Sequence, residues 1–280
     1  MSTVEIVTLK NGLQAIRDRA SGQIMHCGTG PAVESRTIYV EPSRLEARLQ
    51  QPGEGPLVIL DVGLGAASNA LAAWQVSESL PETARRLQII SFDHDLEPLK
   101  LALQPAHAES FGLAPSNAAA HAAAQSLLAD GQHETPRTSW RLAFGDLLDS
   151  LAAWPALSAD IIYWDMYSRE VSPALWTVST FRSLWRVCRP GATMHTYSAA
   201  TSTRSGLLLA GFAVGIGDRT GDKESTTIAA MNHEDLSSPL DARWLTRLER
   251  SSAPFPSDVP ADGASRAQAF AEIRSRPQFV

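Results

Sequence analysis

The sequence between residues 60 and 69 reads LDVGLGAASN. It begins at the end of an apolar run, residues 57–61, which is typical of a strand buried on both faces. Two glycines, Gly63 and Gly65, then precede a helical pattern over residues 68–80. Glycine lets the backbone turn sharply and lets a ligand approach the free N–H groups at a helix start. The stretch therefore predicts a strand, a ligand-binding loop and a helix, although an ordinary strand–helix turn is the alternative.

Six further apolar runs predict the other strands of a sheet, at residues 87–93, 140–144, 160–165, 192–197, 212–216 and 226–231. Helical patterns separate most of them, at residues 68–80, 96–110, 115–131, 173–189 and 202–210. This alternation predicts an α/β fold with a Rossmann-like, mainly parallel sheet of seven strands. Right-handed crossovers place the loops after the strands at one edge, where ligands bind.

Changes in composition divide the chain into three predicted parts. Residues 1–50 form an appendage that begins with a β-hairpin around Asn11-Gly12, a pair suited to a type I′ turn. A short strand over 36–40 and a helix over 43–50 complete it. The Gly- and Pro-rich stretch before residue 57 marks the start of the main domain, 51–236. Residues 237–280 are predicted to be an irregular tail, with a helix over 267–274.

Composition limits the possible functions. The chain has 280 residues, a net charge of −6 and two cysteines. Cys27 and Cys188 lie far apart, and Cys188 falls in a predicted helix, so neither a disulfide scaffold nor a metal site is expected. No segment approaches the length of a signal peptide core or a membrane span, which favours a cytoplasmic protein without a membrane partner. The acidic balance disfavours broad binding to nucleic acid but not a local basic patch. Basic residues do gather near the N-terminus, at Lys10, Arg17, Arg19, Arg36, Arg44 and Arg48.

Three acids follow three successive predicted strands. Asp61 precedes the glycines, and Asp93 lies 28 residues beyond Gly65. An acid at the position of Asp93 accepts hydrogen bonds from ribose hydroxyls in nucleotide-binding sheets. Asp146, after the third strand, is placed to accept a bond from an adenine amino group. Asp95 could take the place of Asp93, although it is also suited to cap the following helix. Asp146 alone is equally explained as a helix cap, but the three acids together predict a site for an adenosine cofactor.

Two adenosine cofactors suit such a site. NAD prefers a third glycine in the loop, and Ser68 stands at that position. S-adenosylmethionine (SAM) sites commonly have an acid before the glycines and tolerate changes at the third position. SAM is therefore the predicted cofactor, and an NAD-linked oxidoreductase is the less favoured alternative.

Several motifs together resemble the MnmC-type methyltransferase domain. The segment GLGAASNALAAW at 63–74 resembles G-F-G-T-G-L-N-x-L-x-x-W, and ISFD at 90–93 resembles I-S-F-E. The family's F-G-D, E-T-R, L-D-G-F and R-P-G-G-T have counterparts at 144–146, 34–36, 164–167 and 189–193. The matches keep the family's order over residues 4–235. Ala67 replaces a family glycine, and Asp165-Met166-Tyr167 replaces Asp-Gly-Phe.

The resemblance implies a class I SAM-dependent methyltransferase, in the stand-alone form without the FAD oxidase domain. It also implies a substrate, the aminomethyl group of a modified wobble uridine in tRNA, which is methylated to give 5-methylaminomethyl-2-thiouridine. The predicted cofactor residues are Asp61, Gly63, Gly65, Asn69, Asp93 and Asp146.

The acceptor side of the predicted site has three candidate residues. Asp165 ends a strand beside the expected methyl group, where it could accept an amine N–H and favour the cationic product. Tyr167 could stack on a base, and Glu34 could orient the amine from a lid. A methyltransferase of a small molecule or protein, and a non-catalytic SAM-binding protein, remain alternatives.

Overall fold

The computed structural model describes residues 2–25, 29–219 and 225–280. Its first elements are three antiparallel strands, β1 (Val4–Thr8), β2 (Gln14–Asp18) and β3 (Ile24–Met25). The predicted hairpin is therefore confirmed. Its turn differs from the prediction, because only Gly12 has a positive φ and the Gly12 N–H donates to the Leu9 carbonyl. This is the three-residue loop in which glycine occupies the left-handed position.

The main sheet has eight strands: β4 (Leu57–Val62), β5 (Leu87–Asp93), β6 (Gln132–Glu134), β7 (Thr138–Phe144), β8 (Ala159–Trp164), β9 (Cys188–Thr196), β10 (Ala213–Gly217) and β11 (Thr226–Ala230). The α-helices are α1 (Pro31–Ser35), α2 (Leu45–Gln50), α3 (Ser68–Ser79), α4 (Glu97–Ala102), α5 (Ala118–Asp130), α6 (Leu147–Ala153), α7 (Val178–Val187), α8 (Thr201–Ala210), α9 (Ala242–Arg250) and α10 (Gly263–Arg274).

The strand order is β10-β11-β9-β8-β4-β5-β7-β6. The five central strands, β9 to β7, run parallel, and β11, β10 and β6 add antiparallel edges. The mainly parallel α/β fold is thus confirmed, and all seven predicted strands are present. The predicted number of strands was one too few. The missing strand, β6, is short and polar, so it lacks the apolar pattern that marks a strand in a sequence.

Helices cover both faces of the sheet because its central strands alternate between two cores. In β4, Leu57 and Ile59 pack in a cluster that includes residues of α2, α3 and α5. Their neighbours Val58 and Leu60 pack on the opposite face with α6, α7 and α8. All six residues of β4 are buried, which accounts for its continuous apolar run. Because the five central strands are parallel, their carboxyl ends lie together at one edge of the sheet.

The predicted strand at residues 36–40 was wrong. Arg36–Val40 instead forms a π-helical turn that continues directly from α1. Ile38, Tyr39 and Val40 are all buried, and the Tyr39 ring packs on Tyr163 of β8 with centroids 5.4 Å apart. Packing against the main sheet overrides the β propensity of this segment. The predicted helix at 43–50 is confirmed by α2.

The prediction of an irregular tail at residues 237–280 was also wrong. Asp241 and Asp262 cap α9 and α10 with their side chains, and α9 buries Trp244 and Leu248, one turn apart, on the main core. The predicted helix at 267–274 lies within α10. Cys188, predicted to be helical, begins strand β9, because α7 ends at Val187. Cys27 and His26 lie outside the described residues.

Candidate functional site

A cavity of about 470 Å³ opens at the edge where β4, β5 and β8 end. This volume is within the usual range for small-molecule sites. The N-terminal strands and the π-helical turn cover it from above, so the appendage occupies the position of a lid. The described lining residues are Gly22, Gln23, Ile24, Met25, Glu34, Ile38, Tyr39, Gly63, Leu64, Gly65, Asp93, His94, Asp165, Met166, Tyr167 and Tyr197.

The glycine loop closes tightly on the neighbouring strand end. The Gly63 N–H donates to the Phe92 carbonyl at 3.0 Å, and the Asp165 N–H donates to the Val62 carbonyl at 2.9 Å. Gly63 has φ +92°, and a Cβ built on it would lie 2.6 Å from the Asp165 carbonyl oxygen. Ala67, which replaces a family glycine, adopts φ +66° and is fully buried. The backbone at Ala67 therefore adopts the left-handed conformation that glycine favours, although the residue carries a methyl group.

We expect Gly63→Ala to destabilise the protein by about 2–3 kcal/mol, because the Cβ meets backbone and the φ is unfavourable. Gly65→Ala is the matched control. Its φ of +51° also strains an alanine, but its Cβ would make only an ordinary 3.5 Å contact with the Met25 sulfur, so we expect a smaller loss of stability. Urea denaturation of both variants measures the difference. Equal losses of stability would contradict the proposed contact between the glycine loop and Asp165.

Asp93 lies at the end of β5 with its side chain 13% exposed in the cavity wall. Its Oδ2 accepts from the Gly65 N–H at 3.0 Å. Its Oδ1 accepts from the backbone N–H groups of His94 and Asp95 at 2.8 and 3.1 Å. Burial raises the pKa of Asp93, and these three backbone donors oppose the increase. The carboxylate is therefore held rigidly and joins the glycine loop to β5.

Asp61 lies beneath the loop and is 1% exposed. Its Oδ2 accepts from Ser91 Oγ at 2.6 Å, and Ser91 Oγ accepts from Trp140 Nε1 at 3.0 Å. Its Oδ1 has no hydrogen-bonding partner among the described residues. Burial raises the pKa of Asp61 to about 7, with further contributions from the charges of Asp165 and Asp93. Asp61 thus supports the site from behind and does not line the cavity.

Asp165 and Asn69 meet at the floor of the cavity. Asn69 Nδ2 donates to Asp165 Oδ2 at 2.8 Å, which fixes the carboxylate. The buried Tyr39 hydroxyl faces Asp165 but has no partner of normal hydrogen-bond geometry among the described residues. Burial, followed by the charge of Asp165, raises the pKa of Tyr39 well above its usual value. One neutral donor, Asn69, therefore fixes the Asp165 carboxylate, and the neutral Tyr39 hydroxyl lies nearby. The carboxylate still has capacity to accept hydrogen bonds.

The remaining predicted residues take different positions. Glu34 is 5% exposed and lines the cavity from α1, and Tyr167 lines it from the loop after β8. Asp146 is exposed, and its Oδ1 caps α6 by accepting from the Leu148 and Asp149 N–H groups. The cavity brings together Gly63, Gly65, Asp93, Asp165, Tyr167 and Glu34. Asp61, Asn69 and Asp146 lie outside its lining, so their cofactor roles remain predictions.

Several lining residues were missed in the sequence. Tyr39 was assigned to a strand, and Tyr197 to the end of another, with no chemical signal at either position. The Tyr197 hydroxyl donates to the Met166 carbonyl at 3.0 Å, and Trp176 Nε1 donates to the Tyr167 carbonyl at 2.8 Å. These bonds fix the loop that follows β8. A loop held by distant aromatic residues has no local sequence pattern that would reveal it.

The cavity is lined by acidic side chains, and this limits the kinds of ligand that can bind in it. Glu34, Asp93 and Asp165 line it, and the described lining residues include no lysine or arginine. Carboxylates in a partly desolvated cavity attract cations and repel phosphates. A sulfonium and an ammonium group fit this lining, whereas the pyrophosphate of a dinucleotide does not. Within the described ranges, no cluster of residues suited to a metal ion is found, and no helix could span a membrane.

Comparisons with known proteins agree with this geometry. A family described as S-adenosyl-L-methionine-dependent methyltransferase matches residues 116–232. The tRNA 5-methylaminomethyl-2-thiouridine biosynthesis bifunctional protein MnmC of Methylibium petroleiphilum is 32% identical over 80% of this chain and 34% of its own length. MnmC of Ectopseudomonas mendocina is 33% identical over 82% of this chain and 35% of its own length. The chain thus spans about a third of these relatives.

Solved structures show the same fold. MNMC2 from Aquifex aeolicus superposes with a TM-score of 0.71 at 23% identity, covering 98% of this chain and 83% of that one. Spermidine synthase from Thermotoga maritima has a TM-score of 0.52 at 11% identity, covering 89% and 75%. Fold and cavity together define a class I SAM-dependent methyltransferase. Within that class, the chain is similar to the matching third of the MnmC proteins.

Proposed function

We propose that this enzyme transfers a methyl group from SAM to the aminomethyl group of a modified wobble uridine in tRNA. The observation that carries the proposal is the Asp165 carboxylate, held by Asn69 at the floor of an acidic cavity. Similarity to MnmC proteins, whose name states a role in tRNA 5-methylaminomethyl-2-thiouridine biosynthesis, supports this acceptor.

Binding of SAM in this cavity is supported by the polar groups around the glycine loop. Asp93 is placed to accept ribose hydroxyls, and the backbone around Gly63 and Gly65 leaves room for a ligand against the loop. The unpartnered Asp61 Oδ1 adds negative charge beneath it. When bound there, SAM supplies a methyl group on a positively charged sulfur. The acidic wall therefore compensates the positive charge of the cofactor.

The acceptor half of the proposal rests on Asp165. The amine must be neutral to form the new C–N bond as the C–S bond breaks, so positive charge moves from sulfur to nitrogen. Asp165 would accept one amine N–H, direct the lone pair toward the methyl group and stabilise the developing charge. Tyr167 would pack against the flat base beside the amine, and Glu34 would close the cavity from the lid. The proton later leaves the product ammonium for water.

Transfer of labelled methyl from SAM to tRNA that carries the unmethylated 5-aminomethyl group tests this function. We expect label in tRNA with the wild-type enzyme, almost none with Asp93→Asn, and normal incorporation with the matched control Asp130→Asn. Asp130 is exposed at the end of α5. If the enzyme binds SAM but puts no label in tRNA, the proposal that tRNA accepts the methyl group is overturned. A small molecule or a protein would then be the favoured acceptor. Absence of SAM binding would overturn the whole proposal.

A further inference from the structure

Helix α9 carries three exposed arginines, Arg243, Arg247 and Arg250. Their spacing of four and three residues puts them on one side of the helix, which we call the α9 arginine face. In the described part of the chain, none of these three side chains forms a hydrogen bond or an ion pair. The carboxylates of α9 are engaged elsewhere, since Glu249 pairs with Arg274 and Asp241 caps the helix.

The arginines near the N-terminus differ in this respect. Arg17 and Arg19 both pair with Glu5, and Arg36 pairs with Glu41. Arg48 is partly buried and donates to the Asp160 carbonyl at 3.1 Å. Three of the six basic residues near the N-terminus, Arg17, Arg19 and Arg36, therefore pair with carboxylates, and a fourth, Arg48, is partly buried. In a protein with net charge −6, the α9 arginine face is a local exception.

Arg204 of α8 relates this face to the functional edge of the sheet. Arg204 of α8 donates to Thr227 Oγ1 at 3.0 Å, and Thr227 pairs with Thr196, the last residue of β9. Burial, and then the nearby charge of Arg247, lowers the pKa of Arg204 to about 10. The chain leaving α9 stays on α8, because the Pro254 carbonyl accepts from Ser205 Oγ at 2.5 Å.

The first turn of α8 also touches the loop that holds the acceptor residues. Arg169 Nη1 donates to Ser202 Oγ at 2.5 Å, and Arg169 lies four residues after Asp165. Arg169 is exposed but pairs with Glu170 at 2.7 Å, and Arg204 is buried. Among the described residues on this side of the molecule, the guanidinium groups of the α9 arginine face are therefore exposed and without such a pair. An extended polyanion whose reactive base enters the cavity would meet these groups with its flanking phosphates. Guanidinium groups suit phosphate because they form paired hydrogen bonds with it.

We propose that the α9 arginine face binds the phosphate backbone of the acceptor RNA while the modified base enters the cavity. This inference rests on the proposed function and adds the surface that holds the substrate. Phosphate contacts of this kind set affinity and register but do not read sequence. The α9 arginine face would therefore contribute to the binding of tRNA whatever its sequence, and it would leave the affinity for SAM unchanged.

Fluorescence anisotropy with labelled tRNA tests the proposal on Arg247→Glu/Arg250→Glu. We expect affinity to fall about 10-fold or more and the dependence on salt to weaken by roughly one to two in log–log slope. SAM affinity, measured by calorimetry, should not change. The matched control is Arg86→Glu/Arg141→Glu, which makes the same change in net charge near the β6 edge of the sheet, where both arginines approach Glu134.

The outcomes separate the two proposals. Unchanged tRNA affinity in Arg247→Glu/Arg250→Glu, or an equal loss in the control, would overturn the role of the α9 arginine face. Binding of tRNA by the wild type that depends on this face, without methyl transfer to it, would contradict the proposed function but retain the surface. Thermal denaturation of each variant confirms that the fold is intact.

Discussion

Asp165→Asn is expected to lower the rate of methyl transfer to tRNA by about 100-fold or more. The substitution keeps the size of the side chain and an oxygen to accept from Asn69 Nδ2, a contact of 2.8 Å in the wild type. It removes the negative charge that would stabilise the developing ammonium. Groups that stabilise charge only in the transition state typically contribute rate factors of roughly 10²–10³. Single-turnover transfer of labelled methyl at saturating SAM measures the effect.

Asn69→Ala provides a comparison, because it leaves the Asp165 charge but removes the bond that fixes it. We expect a smaller loss of rate from Asn69→Ala than from Asp165→Asn. SAM affinity should change much less than the rate in Asp165→Asn. A wild-type rate in Asp165→Asn would exclude Asp165 from the chemistry and leave positioning by the cavity as the source of catalysis.

Asp61→Asn is expected to stabilise the ligand-free protein by about 2 kcal/mol at pH 8.5. The Asp61 pKa of about 7 exceeds the ordinary aspartate value of 3.8. Between pH 3.8 and about pH 7, Asp61 is protonated in the folded state but largely ionised in the unfolded state. The free energy of unfolding therefore falls as the pH rises through this range. The difference between the folded and unfolded pKa of Asp61 corresponds to a loss of roughly 4 kcal/mol in the free energy of unfolding above pH 7. An asparagine amide without an acceptor would offset about half of that gain.

Thermal and urea denaturation at pH 5 and pH 8.5 test this expectation. Asp61→Asn should exceed the wild type in stability at pH 8.5 and lose the advantage at pH 5, where Asp61 is protonated. Part of the pH dependence should persist, because the pKa of Asp93 is also raised by burial. A variant that is less stable than the wild type at pH 8.5 would show that the Asp61 charge is compensated in the folded state.

Local sequence patterns predicted the parallel sheet well. Strands β4, β5 and β8 are buried on both faces, so their apolar runs are continuous and easily recognised, as in Leu57–Val62. The residues next to the strand ends, Gly63, Asp93 and Asp165, were predicted because topology brings all such ends to one edge. Strand β6 and helix α9 were missed, and only the second half of α10 was predicted. Their stability depends on edge pairing, caps and one apolar stripe, which leave weaker patterns.

The sequence by itself determined the fold class, the glycine loop and the acids after the strands, because these follow from periodicity and from the backbone freedom of glycine. Only the tertiary structure decided which polar groups face the cavity. It buried Asp61 behind the loop, used Asp146 as a helix cap and brought Tyr39 beside Asp165. It also paired Arg17, Arg19 and Arg36 with carboxylates and left the exposed arginines of α9 without such pairs among the described residues. Such outcomes depend on contacts between residues distant in the chain, and local sequence patterns do not specify these contacts.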